Sequence, residues 1–200
     1  MADSEDATDE ALVSRAALGD TGAFDEITIR HQARVYRLAC RLVGHDDAPD
    51  VVQEGFLSVY LNLASFRQES RFGTWLYRIV TNAALMHRRA RTRRPVESLE
   101  PLLPEFDGMG RHCQTPAELQ VPARADELLD RRELVDAAMA ALERLPDLYR
   151  SAFVLRDLEE LTTAEVADVL GVEAATVRQR VHRARLMLRG YLAALAGAKS

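Results

Sequence analysis

Residues 161–188, "LTTAEVADVLGVEAATVRQRVHRARLML", leave little freedom of fold. Thr162 followed three residues later by Glu165 is a capping box, in which each side chain satisfies a free N–H at a helix start. Val166, Val169 and Leu170 then recur at helical spacing, and Gly171 stands where that helix must stop. A second helical period follows. Ala174, Val177, Val181, Ala184 and Leu188 fall in one stripe, while Arg178, Gln179, His182 and Arg183 lie on the opposite side. Glu173 occupies the position where Ser, Thr or Asp caps a helix more strongly, but its charge suits a helix N-terminus. The predicted unit is helix, tight turn, helix.

Taken alone, the second helix is a solvated basic face on an amphipathic segment. Behind a capped first helix it fits the helix-turn-helix plan, whose second helix enters the DNA major groove. On that plan Arg178 and Arg183 pair with guanine edges or phosphates, Gln179 suits adenine, and His182 serves either purpose. Arg180, Arg185 and Arg189 lie nearer the margins of the apolar stripe, where they position the helix on phosphates without reading sequence.

So basic a segment is unexpected in a chain of net charge −5, until the charge is partitioned. Residues 1–10 hold five acids and no base, and residues 96–130 hold eight acids against Arg111 and Arg124. The rest of the chain is therefore positive by six charges, enough for nucleic acid to bind its bodies. The acidic stretch carries Pro95, Pro101, Pro104, Pro116 and Pro122 with Gly108 and Gly110 and shows no sustained period, which reads as a linker. The expected layout is an acidic tail over 1–10, a first domain over 11–95, a linker over 96–127 and a second domain over 128–195. Pro146 separates two helical patterns at the start of the second domain.

The first domain is helical by pattern throughout. One helix through "GAFDEITIRHQARVYRLACRLVG" stops at Gly44. The next starts at Asp47 as N-cap, with Pro49 in its first turn and Asp50 near the dipole. Its packing stripe is read as Val52, Phe56, Val59 and Leu63. Gln53, Glu54, Leu57 and Leu61 take the other side, a pattern that fits a protein partner or a helix buried on two faces. A third helix, ending in Arg88, Arg89, Arg91, Arg93 and Arg94, places Phe72, Trp75, Ile79, Ala83 and Met86 on one side. Trp75 is read as core there, and Asn82 lies at the edge of the stripe. A basic helix end beside a polar, aromatic-flanked loop suits single-stranded nucleic acid: cations for the backbone and a pocket for an unstacked base.

Composition excludes several classes. With 200 residues, 48% of them hydrophobic and few aromatic, the chain suits one or two helical globules. It has no secretory signal and no apolar run of membrane-spanning length, so a cytoplasmic chain with no membrane insertion is expected. Cys40 sits in a helical pattern as a small core residue, and Cys113, beside His112, lacks a second ligand pair for a metal. No nucleophile elbow, phosphate loop, metal-ligand cluster or carboxylate pair is present, which argues against an enzyme.

Taken together, these segments resemble the sigma-70 superfamily, and within it the small two-domain extracytoplasmic-function (ECF, group IV) sigma factors of bacterial RNA polymerase. "DAPDVVQEGFLSVY" resembles family region 2.2, "FRQESRFGTWLYRIVTNAA" regions 2.3 to 2.4, and the 161–188 stretch region 4. The resemblance spans about 150 residues in the family's order. It implies an all-α fold of two small helical domains, a region 2 bundle and a region 4 helix-turn-helix, joined by a flexible acidic linker. It implies no cofactor, no metal and no catalytic residue.

By the same resemblance, Asp50, Gln53, Glu54 and Leu57 dock on the β′ clamp helices of core RNA polymerase, and the β flap is a further contact. Arg67, Gln68, Glu69, Ser70 and Arg71 form the loop that captures a flipped base of the melted -10 strand, with Asn82, Arg88 and Arg89 on the same element. Arg178, Gln179, His182 and Arg183, with Arg180 and Arg185, bind the -35 duplex. The acidic linker threads toward the polymerase cleft and RNA exit path. Nothing in the chain resembles the autoinhibitory N-terminal domain of primary sigma factors, so the resemblance implies restraint by an anti-sigma factor and a role in stress response. The competing class is a helix-turn-helix regulator with a sensing or dimerisation domain. It explains residues 128–200 and leaves the Gln53/Leu57 face and the Arg67–Asn82 segment without a purpose.

Overall fold

Local chemistry sets where the helices begin and end. The computed structural model describes residues 8–66, 70–91 and 131–197. The 96–127 linker, Cys113 and the loop residues Arg67, Gln68 and Glu69 lie outside them. Among the described residues no strand occurs, and the order is α1 (Asp9–Ala17), α2 (Thr21–Val43), α3 (Ala48–Asn62), α4 (Phe72–Arg91), α5 (Arg131–Glu143), α6 (Asp147–Phe153), α7 (Thr163–Leu170) and α8 (Ala174–Gly197). The all-α expectation is met. The chain divides into two compact units, built on α1 to α4 and on α5, α6 and α8.

In the first unit α1 packs on α2, α2 on α3, and α1 on the 3-10 turn Leu63–Ser65 that ends α3. Leu12, Ile27, Val35, Leu38, Val51, Val59, Phe72, Leu76 and Val80 are buried in its core. Each such side chain contributes about 1.5–3 kcal/mol of transfer free energy. Helix α1 begins inside the stretch read as a tail. Thr8 caps it by accepting the Ala11 N–H at 3.3 Å, and Asp9 and Glu10 stand at its positive end. Asp9 also holds α2, with His31 Nε2 at 2.7 Å and Arg30 Nη1 at 3.5 Å. At the α1–α2 corner Asp20 caps α2 by accepting the Ala23 N–H at 3.0 Å and pairs with Arg15 at 2.7 Å. The Ala23 N–H first, and Arg15 next, hold its carboxyl below the ordinary carboxylate range.

Two packing stripes differ from the periodicity reading. On α3 the buried line is Ala48, Val51, Gly55 and Val59, while Val52 and Phe56 are only half-buried. The cause is the approach of α4: a Cβ at Gly55 would lie 3.0 Å from Val80 Cγ2, so a bare glycine forms the contact. On α4 the buried line is Phe72, Leu76, Val80 and Ala84, with Tyr77 and Ala83 beside it, whereas Trp75 and Ile79 are half-buried and Met86 is 63% exposed. Trp75 belongs to the edge of an aromatic cluster, 5.0 Å from Phe66 and 5.9 Å from Phe72. Asp47 is at the N-cap position of α3 but its side chain makes no capping bond, and Oδ2 lies 3.6 Å from His87 Nε2 on α4. Cys40 is buried, as expected of a small core residue, with Sγ 3.4 Å from His45 Nδ1.

In the second unit α8 packs on α5 and α6. Pro146 stands at the start of α6 and divides it from α5, as its missing N–H requires. Arg150 on α6 is 1% exposed, and its guanidinium donates to the carbonyls of Glu143 and, at 3.0 Å, Leu145. It satisfies carbonyls that the end of α5 leaves open. Beyond α6 the chain widens into a π-helical turn, Val154–Leu158. The capping box of α7 forms as read: Glu165 N–H donates to Thr162 Oγ1 at 3.2 Å, and Thr162 N–H to Glu165 Oε2 at 2.8 Å. Gly171 ends α7 at φ +62°, a left-handed conformation that favours glycine.

Candidate nucleic-acid interface

Helix α8 follows the Gly171 turn with Val177, Val181 and Ala184 buried beneath it. Met187 joins them, completing a stripe that the sequence reading ended on Leu188, which is half-buried. Arg178, Gln179 and His182 are exposed within the first three turns. Those turns are where a recognition helix meets base edges. Four further cations differ in setting. Arg180 is half-buried and Arg189 is exposed. Arg183 is half-buried, and its Nη1 donates to the Tyr149 hydroxyl on α6 at 3.2 Å. Arg185 is held in a two-pronged pair, Nε to Asp157 Oδ2 at 2.7 Å and Nη2 to Asp157 Oδ1 at 2.8 Å. The Asp157 hydrogen bonds hold the Arg185 guanidinium above its ordinary value. Periodicity gave no signal of Tyr149 or Asp157, because each partner lies far away in sequence.

Helix α4 presents Arg78, Asn82 and Arg89 to solvent along one side, with Arg71 exposed just before its first residue and Ser70 and Arg88 half-buried. Arg71 carries the start of the helix: its carbonyl accepts the Thr74 and Trp75 N–H groups at 3.0 and 3.2 Å. Arg78 was not singled out by the motif, yet it lies one turn from Asn82 on the same exposed side. The arrangement puts cations and an amide on the helix that carries Phe72 and Trp75, which cluster with Phe66 from the preceding turn. Those are the elements that neutralise a phosphate backbone and stack a base.

Helix α3 turns Asp50, Gln53, Glu54 and Leu57 to solvent, with Leu57 57% and Leu61 70% exposed. Tyr60, packed edge-on against Phe24 at 5.1 Å, extends the face. A cleft of about 310 Å³ opens beside it, lined in part by Asp20, Phe24, Tyr60, Leu61 and Leu63. Large apolar side chains bared beside carboxylates form a docking surface more than a solvated face. Among the described residues no group of three His, Cys, Asp or Glu side chains is placed to hold a metal, and no helix is long and apolar enough to cross a membrane.

Residues 28–94 match the sigma-70 region 2 family and residues 136–188 match sigma-70 region 4. The pair defines a class, the non-enzymatic transcription initiation factors that direct RNA polymerase. The ECF RNA polymerase sigma-E factor of Haemophilus influenzae is 38% identical over 188 residues, covering 92% of this chain and 95% of the relative. The ECF RNA polymerase sigma-E factor of Escherichia coli K12 is 37% identical over 183 residues, covering 91% and 93%. The chain belongs to the sigma-70 family, in its ECF branch. Among solved structures, CnrH in complex with the cytosolic domain of CnrY aligns with TM-score 0.63 and 25% identity, covering 96% of this chain and 99% of that one. The sigma factor RpoE of Bartonella quintana, in complex with the anti-sigma factor NepR, shares the fold with TM-score 0.60 and 23% identity, covering 84% and 96%.

Proposed function

We propose that this sigma factor divides its work among three exposed faces. Asp50, Gln53, Glu54 and Leu57 on α3 bind the β′ clamp helices of core polymerase, and the second domain meets the β flap. Ser70, Arg71, Asn82, Arg88 and Arg89, with the loop residues Arg67, Gln68 and Glu69, hold the melted -10 strand. Arg178, Gln179 and His182 read the -35 duplex, and Arg180, Arg183 and Arg185 sit along the same helix. The domain limits near residues 95 and 128 follow the same division. The protein acts in the cytoplasm, where its template and polymerase are.

The observation that carries this reading is the Gln53–Glu54–Leu57 face, which sets an apolar side chain among polar ones and is exposed on α3. A helix-turn-helix regulator has no use for it. Control by an anti-sigma factor is part of the same reading: a chain of the same fold, the sigma factor RpoE of Bartonella quintana, is solved in complex with the anti-sigma factor NepR. The test is retention of promoter duplex by the chain alone, by core polymerase alone and by both. Retention only by the pair is expected. Tight, dimeric binding of the chain alone to a palindrome, unaffected by core, would replace this reading with the regulator.

A further inference from the structure

Two arginines on α8 are committed within the protein. Arg185 lies eleven residues beyond Ala174, the first residue of the helix, about 16 Å along the axis at 1.5 Å per residue. That is past the turns from which a recognition helix reads bases. Both of its hydrogen bonds to Asp157 are short, and the Asp157 side chain is largely covered, at 17% exposure, while the Arg185 side chain is 61% exposed. Such a parallel two-point pair fixes direction as well as distance. Arg183, two residues earlier, is tied to the hydroxyl of Tyr149, a buried residue that is 8% exposed. The two ties run from α8 to neighbouring parts of one support, α6 and the π-helical turn that follows it.

A phosphate cannot take Arg185 from this pair freely. Reaching it either breaks two charge-assisted bonds or brings the Asp157 carboxylate toward the DNA backbone, and like charges repel. As seen by DNA the pair carries no net charge, although it sits on a basic helix. We propose that Asp157 is a positioning residue of the DNA-reading helix: it withdraws Arg185 from phosphate binding, fixes α8 on its support, and so concentrates contact on Arg178, Gln179 and His182. This rests on α8 being the -35 reader. The device lowers sequence-independent affinity and leaves base-specific contacts a larger share of binding, because phosphate contacts strengthen all sequences alike.

The test uses holoenzyme reconstituted from core polymerase and the full chain, with parent, Asp157→Asn, Arg185→Ala and the double variant. Two probes are compared across a salt series: duplexes the parent holoenzyme selects from a randomised -35 pool, and an unrelated duplex. Asp157→Asn is expected to bind the unrelated duplex several-fold tighter, with the magnitude of the salt slope raised by about 0.9, the increment for one added phosphate contact. Its preference for the selected duplex falls. Adding Arg185→Ala to that variant restores the parental slope, and Arg185→Ala alone leaves the slope unchanged while reducing preference. A purely structural pair would lower binding without moving the slope. If Arg185→Ala alone lowers the slope magnitude by about one, Arg185 is a phosphate ligand and the proposal is overturned, whether or not Asp157→Asn folds. Parental selectivity with an Asp157→Asn slope equal to the parent's overturns the proposal alone, whereas a parent that selects no -35 duplex overturns both it and the assignment of α8.

Discussion

Gly55 on α3 lies against Val80 on α4 so closely that a Cβ on the glycine would stand 3.0 Å from Val80 Cγ2. The contact sets the rotation of α3. It places Val51 and Val59 inward and leaves Gln53, Glu54 and Leu57 outward. Alanine at 55 gains about 1 kcal/mol of helix propensity but overpacks a fully buried valine whose χ1 is stiff, at about 1–3 kcal/mol. Gly55→Ala is therefore expected to lose roughly 1 kcal/mol in urea unfolding. A gain of the full propensity term would mean that α3 and α4 separate without cost.

The face that Gly55 turns outward supplies the second prediction. Leu57→Asp combined with Gln53→Ala changes only exposed side chains, so helicity should be preserved. Affinity for core polymerase should fall by at least about 2 kcal/mol, as for the loss of a central interface anchor. Unchanged competition against parent for core would remove α3 from the polymerase interface.

On α4, Asn82→Ala should impair open-complex formation on duplex promoters and be rescued on templates melted beforehand across the -10 region. Strand capture includes the cost of unstacking and unpairing, which pre-melting removes. Equal defects on both templates would point to docking or folding.

Two arginines two residues apart on α8 should behave differently. Arg178→Ala, exposed in the second turn, is expected to cost about 1–3 kcal/mol at particular -35 positions and to relax preference there. Arg180→Ala should weaken all promoters alike and reduce the salt slope by roughly one. The reverse assignment of these effects in holoenzyme binding across a -35 library would mean that the helix docks by its other side.

How much of this was readable in the sequence depends on the range of the interactions. The α7–α8 unit was legible because its signals are local: Thr162 and Glu165 are three residues apart, and Gly171 takes the positive φ that ends the helix. The α3 and α4 stripes came out rotated because the closest helix approach uses Gly55, which carries no hydropathy, and because Thr74 and Thr81 are buried on α4 among apolar residues. Helix α1 was hidden in an acidic stretch, since Asp9 is both a helix-start acid and the partner of His31, twenty-two residues away. Its role is visible only once α1 lies on α2. Tyr149 and Asp157 reach Arg183 and Arg185 across 34 and 28 residues, and no periodicity reports such pairs. The exposed residues Leu57, Asn82, Arg178 and Gln179 were found because they interrupt or oppose an apolar stripe on their own helices.

As a sigma factor, this chain gives core polymerase a promoter preference that core lacks. Run-off transcription on genomic fragments from the source bacterium, with purified core polymerase and with or without the chain, measures it most directly. Discrete transcripts are expected only when the chain is present, with start sites sharing a common -35 and -10 pattern, and they are lost with Leu57→Asp. Transcripts that are the same with and without the chain, or that persist undiminished with Leu57→Asp, would contradict it.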